Sequence, residues 1–458
     1  VTLPGNQAVA PVAATVRSSD AVCSGNNRTI GILAGSGNVP REIVENLRHH
    51  GQRVHVVALR DSADDVEAWP VSSFEWVGIA QLGAMLSSFQ TNGCRELIII
   101  GGVRRPDLRR VVPDLGFFTN LPAVLSLLRG GDDHLLRRVI RFFEGKGFVV
   151  RGIGDLVPDL LAAPGQLSKR SPSDELQADA ALGFDVLQAL GRLDMGQAAI
   201  VRNGCVLAVE GVEGTDKLLE RVGKMKESGS ANQSDGVLVK MAKPGQDIRV
   251  DLPTIGPNTI ENCRRAGLSG IALEGGKTVI AERSTTIVAA DAAGISVWGI
   301  ERSELSESKT ASDKPKQPSL ETMGMMVSRK RPSRGALRDA WCGGKALAQL
   351  APFGYGTCAV VSRGHVLAVG LCERSQALIE RAGRLKQWGD GHAHKRRRGV
   401  AVLAADELLD NALIATASRV GLEGIYVASG NAMREDLVRL KDLAQQADEA
   451  GIFLLGGL

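Results

Sequence analysis

The sequence predicts an α/β protein built from two successive α/β units and a degenerate copy of the second. Three observations carry this. Short apolar runs alternate with helix-length stretches between Thr29 and Arg151. An Asn203-Gly204 pair joins two apolar runs in the middle of the chain, which is a strong hairpin signal. The last third aligns with the middle third without a gap, Leu187–Glu227 against Leu347–Gln387.

In the first unit, 28–155, the pattern predicts strands at Thr29–Leu33, Arg53–Leu59, Glu96–Ile100 and Phe148–Arg151. Helices are expected at Pro40–His50, Leu121–Leu128 and His134–Glu144. The first strand runs into Gly35-Ser36-Gly37 and then a helix, which makes the unit Rossmann-like. Position 40 is proline, so the third glycine of a dinucleotide loop is missing, and a tight strand-to-helix turn explains the glycines as well as a phosphate loop does. Arg60-Asp61 closes the second strand, where a dinucleotide enzyme needs a ribose-binding acid. Asp132 and Asp133 fit a helix N-cap at least as well as a ligand site.

The stretch 156–178 reads as a polar connector. The second unit, 179–300, opens with a helix at Ala181–Leu190 and continues through the hairpin Ala198–Arg202 and Cys205–Glu210. Further strands are expected at Gly270–Leu273, Thr278–Ala281 and Ser296–Ile300, with helices at Lys217–Lys226 and Asn258–Gly267. Residues 1–27 read as a disordered leader and 301–334 as a linker. The repeat covers 335–458.

The chain has 458 residues, enough for two or three domains, and 44% hydrophobic residues, enough for sizeable cores. No apolar run approaches the roughly 20 residues of a membrane span. The start of the chain has no signal-peptide pattern. Seven scattered cysteines without a CxxC pair favour a reducing, cytoplasmic compartment over a disulfide or zinc scaffold. A net charge of +4 from 55 basic and 51 acidic residues, with 4% aromatics, argues against a nucleic-acid binder.

The stretch that gathers candidate chemical groups is Gly236–Thr259. A buried strand, Val237–Val239, runs into Lys240, Lys243, Asp247, Arg249 and Asp251, then into Thr254, Gly256 and Thr259 at a helix start. Cations, carboxylates and a helix N-terminus make a kit for phosphate chemistry. A solvated charged loop is the bland alternative.

Comparing the two copies favours chemistry. The repeat keeps turn and core positions such as Gly196/Gly356, Gly204/Gly364 and Leu218/Leu378. It replaces Asp194 by Gly354, Gln197 by Thr357 and Thr215-Asp216 by Ser375-Gln376. From Gly236 to Gly267 is 31 positions but from Gly399 to Gly421 only 22, so 31 − 22 = 9 residues are missing. They fall where KPGQDIRVDLP stands in the first copy, and Asp251 has no counterpart.

The ordered motifs IGILAGSGNVP, GGVRRPDL, GDDHLLRRVI, GRLDMGQAAIV, LAVEGVEGTD, KMAKPGQDIRVDLPTIGPNTI and AGLSGIALEGG resemble the LpxI family over Thr29–Ile300. These are UDP-2,3-diacylglucosamine pyrophosphatases of lipid A biosynthesis. The resemblance implies a hydrolase that splits that substrate into UMP and 2,3-diacylglucosamine 1-phosphate (lipid X), with magnesium or a similar divalent cation. It implies a peripheral location on the cytoplasmic face of the inner membrane, with homo-oligomerisation left open. The family's essential aspartate maps onto the DLP motif, hence Asp251.

On this reading Asp251, Arg249 and Lys243 are the catalytic candidates, and Asp251 and Asp194 the metal candidates. Substrate contacts are expected from Gly35, Ser36, Gly37, Arg60, Gln197, Thr215, Asp216, Lys240, Thr254 and Gly256. The alternatives are a dinucleotide-dependent oxidoreductase, or a non-catalytic protein that binds lipid or nucleotide.

Overall fold

The structure is a computed structural model that describes residues 28–103, 113–114, 116–117, 132–191, 193, 195–225, 235–302, 319–385, 397–428 and 437–457. The expected leader, the helix Leu121–Leu128 and the metal candidate Asp194 lie outside these residues.

The first sheet contains β1 (Thr29–Ala34), β2 (Arg53–Leu59), β3 (Ser73–Val77), β4 (Cys94–Ile100) and β5 (Val149–Val150) in the order β3-β2-β1-β4-β5. All its pairings are parallel. The central strand β1 is buried along its whole length, as expected for a parallel sheet covered on both faces. The helices are α1 (Val39–His49), α2 (Leu82–Thr91) and α3 (Asp132–Glu144). α1 starts with a proline in its first turn and buries Pro40, Ile43, Val44 and Leu47 on one face. Strand β3 and helix α2 escape the sequence pattern. β3 is an edge strand with Phe74 exposed, so its apolar alternation is broken.

The second sheet has the order β6-β13-β11-β9-β7-β8. Its strands are β6 (Gly165–Gln166), β7 (Ala198–Arg202), β8 (Cys205–Val209), β9 (Val237–Lys240), β11 (Gly270–Glu274) and β13 (Ser296–Ile300). The short strands β10 (Thr254–Ile255) and β12 (Val279–Ile280) form a separate parallel ladder. The segment expected at Thr278–Ala281 therefore serves this ladder and not the main sheet. Helices α4 (Asp174–Gly191), α5 (Thr215–Met225), α6 (Pro257–Ala266) and α7 (Arg283–Ala293) complete the unit. The stretch 156–178, expected as a connector, carries β6 and the first turns of α4. Its polar residues are an N-terminal signal: the Ser173 hydroxyl accepts the Leu176 N–H at 3.3 Å, and Asp174 and Glu175 occupy the first turn.

The third sheet repeats the second in the order β14-β19-β18-β17-β15-β16. Its elements are β14 (Gly324–Met326), α8 (Arg334–Leu350), β15 (Cys358–Ser362), β16 (His365–Val369), α9 (Ser375–Leu385), β17 (Val400–Leu403), α10 (Asn411–Arg419), β18 (Gly424–Val427), α11 (Leu437–Glu449) and β19 (Phe453–Gly457). The end of the expected linker thus belongs to the copy, because β14 pairs with β19 as β6 pairs with β13.

Local chemistry is duplicated with the topology. The Asp179 carboxylate accepts the hairpin N–H groups of Asn203 and Gly204 at 2.8 and 2.6 Å. Asp339 does the same for Arg363 and Gly364 at 3.0 and 2.6 Å. In both turns the two residues have positive φ, the requirement that made Asn-Gly readable as a hairpin. No helix among the described residues is long and apolar enough to cross a membrane.

Candidate functional site

The site is built around the carboxyl end of β9 and the amino end of its antiparallel neighbour β7, which set Lys240 opposite Ala198. Lys240 is 5% exposed. Its ammonium donates to Thr215 Oγ1 at 3.0 Å and to the Thr254 carbonyl at 2.8 Å. Burial pushes its pKa down, and the nearby Glu210 and Asp216 carboxylates push it back up. Thr215 opens α5 and Thr254 precedes Gly256, the N-cap of α6. One buried cation therefore ties two helix N-termini together, and the Asp216 carboxylate accepts from Asn262 across the same helices at 3.0 Å.

From Lys240 a line of hydrogen bonds runs to the charged loop. Thr215 Oγ1 donates to Glu210 at 3.0 Å. The other Glu210 oxygen accepts the Gln197 N–H at 3.0 Å. Gln197 Nε2 donates to Gln246 Oε1 at 2.9 Å, and Gln246 Nε2 donates to Asp251 Oδ2. The Lys243 N–H also donates to Gln246 Oε1, at 2.9 Å. Five expected residues, Lys240, Thr215, Gln197, Lys243 and Asp251, are so brought into one network. Glu210 and Gln246 complete it and were not among the sequence candidates.

The loop is held against the first unit. Val250 and Leu252 pack against its two hydrophobic clusters. Arg137 donates to the Gly245 carbonyl. Arg249 donates to both Asp247 oxygens at 2.9 and 2.7 Å and to Glu144 at 2.8 Å. This fork holds the Asp247 carboxyl below its ordinary range and raises the Arg249 pKa. Arg249, a catalytic candidate from the sequence, has its fork on two carboxylates and so pins the loop to α3.

Gly35-Ser36-Gly37 leaves β1 beside the end of β4, at the point where the strand order reverses. Its three N–H groups are engaged: Gly35 with the Ile100 carbonyl and Ser36 with the Gly102 carbonyl at 2.8 Å each, Gly37 with Asp64 at 2.9 Å. A Cβ on Gly35 would sit 2.4 Å from the Gly102 oxygen, so these glycines let two loops cross. Of the two expected readings, these contacts are those of a tight strand-to-helix turn. The helix that follows reaches the second unit, where Asn38 donates to Glu282 at 2.7 Å. Arg60 stands apart, with Nη2 on the Trp76 carbonyl at 2.9 Å.

Among the described residues the repeat does not reproduce this network. Leu403 pairs with Cys358 as Lys240 pairs with Ala198. Gly370 donates to the Cys358 carbonyl as Glu210 donates to that of Ala198. The loop itself crosses the end of α4, where a Cβ on Gly191 would lie 2.4 Å from Pro244 Cδ. The repeat has Ala351 at that place and, instead of the loop, a cavity of about 650 Å³ lined by Leu347, Ala351, Thr357 and Ala404 among others. Reading the two copies side by side would have found Glu210 from its loss to glycine.

Among the described residues no group of three or more His, Cys, Asp or Glu side chains is placed to hold a metal. Asp251, flanked by the Gln246 amide, offers hard oxygen donors. That suits magnesium, which commonly takes one or two protein carboxylates together with substrate phosphates.

The LpxI N-terminal domain model matches residues 29–160, and the LpxI C-terminal domain model matches twice, at 163–298 and 323–455. The chain is 40% identical over 280 residues to the UDP-2,3-diacylglucosamine pyrophosphatase LpxI of Caulobacter vibrioides, an alignment that covers 60% of this chain and 99% of that protein. Both copies of the C-terminal domain and the single N-terminal domain thus fall within one family, and the chain belongs to the LpxI family.

Proposed function

We propose that the chain hydrolyses the diphosphate of UDP-2,3-diacylglucosamine to UMP and 2,3-diacylglucosamine 1-phosphate. The observation that carries this reading is the line Lys240–Thr215–Glu210–Gln197–Gln246–Asp251, present in the copy with the charged loop and not reproduced among the described residues of the other copy. The likeness to the Caulobacter pyrophosphatase supplies the substrate.

Water adds across the P–O–P bridge, one phosphate taking the hydroxyl and the other the proton. Asp251 accepts a proton from the attacking water or orients it, held by Gln246. Lys243, on the same loop, neutralises charge on the diphosphate, and the N-termini of α5 and α6 add their dipoles. Lys240 works from behind by fixing both helices, and Arg249 by fixing the loop. A divalent ion at Asp251 supplies Lewis-acid stabilisation when bound. The strand order of the first unit supports a Rossmann-like reading, in which the uridine side lies outside the carboxyl ends of β1 and β4, beside Gly35–Gly37. The acyl chains place the protein at the cytoplasmic face of the inner membrane as a peripheral enzyme. The repeat is non-catalytic.

The test is UMP release from UDP-2,3-diacylglucosamine in mixed micelles. UMP and the acylated sugar phosphate are expected in equal amounts, abolished by a chelator and restored by magnesium. Folded protein that releases no UMP with any divalent ion overturns the reading.

A further inference from the structure

The surfaces through which the two copies touch are themselves copies of one another. α4 and α8 pack together. The cluster they share contains Leu187, Leu190 and Val206 from the first copy and their counterparts Leu347, Leu350 and Val366 from the second. At its edge lie two arginines and two glutamates. Arg221 pairs with Glu213 at 3.1 Å, and Arg381 pairs with Glu373 within the repeat. The same groups also pair across, Arg381 with Glu213 at 3.6 Å and Arg221 with Glu373 at 4.0 Å. Both matched pairs have one offset, 381 − 221 = 373 − 213 = 160. Further contacts join the copies beside these charges. Cys372 Sγ and the Tyr355 hydroxyl meet the Val206 carbonyl and N–H at 3.3 and 2.7 Å. Val212, the counterpart of Cys372, packs against the core of the repeat.

A contact in which each residue meets the counterpart of its own partner is the signature of a two-fold, isologous interface. Here it lies inside one chain. Its centre is apolar and its edge charges complement themselves, so the partner it fits is another module of the same kind.

We propose that the repeat is an in-chain second subunit: it occupies the self-complementary face of the second unit, keeps the whole chain monomeric, and leaves that face to pair with a second copy when the repeat is removed. The face has a structural consequence for the site. Gly211 lies against the Leu367 carbonyl, 2.8 Å from where its Cβ would be, and Glu213 is held by the two arginines. Both sit between Glu210 and Thr215, so the repeat braces the loop that carries them.

Residues 28–302 are a fair unit for the test, because the Caulobacter relative is covered over 99% of its length by a 280-residue alignment and has no room for a second copy. Light scattering should give one 48.4 kDa species for the full chain at tens of micromolar. The 28–302 form should have twice its own mass. Arg221→Glu should return it to a monomer, and adding Glu213→Arg to that variant should restore the dimer, since the reversed pair is again complementary across the two-fold. A folded, monomeric 28–302 form overturns the proposal, as does a dimer indifferent to Arg221→Glu. Should 28–302 aggregate, the full chain with a protease site between 302 and 319 decides. After cutting, the halves should leave a sizing column together and separate in the Arg381→Glu variant. Halves that part on cutting alone overturn the proposal.

Discussion

Gln197 and Gln246 join through a 2.9 Å hydrogen bond, and that bond connects the buried half of the site to the charged loop. Gln197 stands at the start of β7 and takes its place from Glu210. Gln246 reaches on to Asp251. Replacing Gln246 by Ala removes an amide that donates to the Asp251 carboxylate while costing about 1 kcal/mol of stability. The expected result is a fall in kcat of roughly tenfold or more with KM little changed, read from steady-state UMP release.

Lys240 is buried among polar groups that depend on it. Lys240→Leu should destabilise by about 3 kcal/mol in urea unfolding, because Thr215 Oγ1 and the Thr254 carbonyl lose their donor and Glu210 loses its nearby positive charge. The repeat carries leucine and glycine at the two positions at no visible cost. Lys240→Leu combined with Glu210→Gly should therefore lose less than the two single changes added together.

Gly35 crosses Gly102 too closely for any side chain. Gly35→Ala puts a methyl 2.4 Å from a backbone oxygen that cannot swing aside. A loss of about 1–3 kcal/mol is expected, with weaker UMP product binding than the wild type by calorimetry, since the crevice between β1 and β4 must open.

His55 is 1% exposed and hydrogen-bonded to Ser73 and Ser88 at 2.8 and 2.9 Å. Burial lowers its pKa below 6.5, against a smaller opposing pull from Glu75. Below pH 6.5 the unfolded chain takes up a proton that the folded chain refuses, so stability falls as pH drops through 6.5 towards the lowered folded value. Urea midpoints between pH 7.5 and 5.5 should show this slope, reduced in His55→Gln.

Much of the fold was legible because its signals are local. β1, β2 and the Asn203-Gly204 hairpin follow from apolar runs and a turn that demands positive φ. The edge strand Ser73–Val77 was not, because an edge needs no regular apolar face. The start of α4 hid in a polar stretch that looks like a linker until Ser173 is seen capping it. At the site, Thr215, Gln197 and Asp251 were readable because the repeat dispenses with them, and Lys240 because it opens the charged stretch after a buried strand. Glu210 carries the same signature of loss, yet a lone acid after a strand draws no notice. Arg249 shows the limit of composition: its charge was visible, but its commitment to Asp247 and Glu144 depends on a contact with α3, which lies about a hundred residues earlier in the chain.

The most direct measurement is UMP release by the wild type and by Asp251→Asn with magnesium, beside a thermal melt of each. The change keeps the volume and the bond from Gln246 but removes the charge. The account predicts active wild type and a variant with an unaltered melt and a rate lower by about 10² or more. A folded Asp251→Asn protein that releases UMP at the wild-type rate would contradict it.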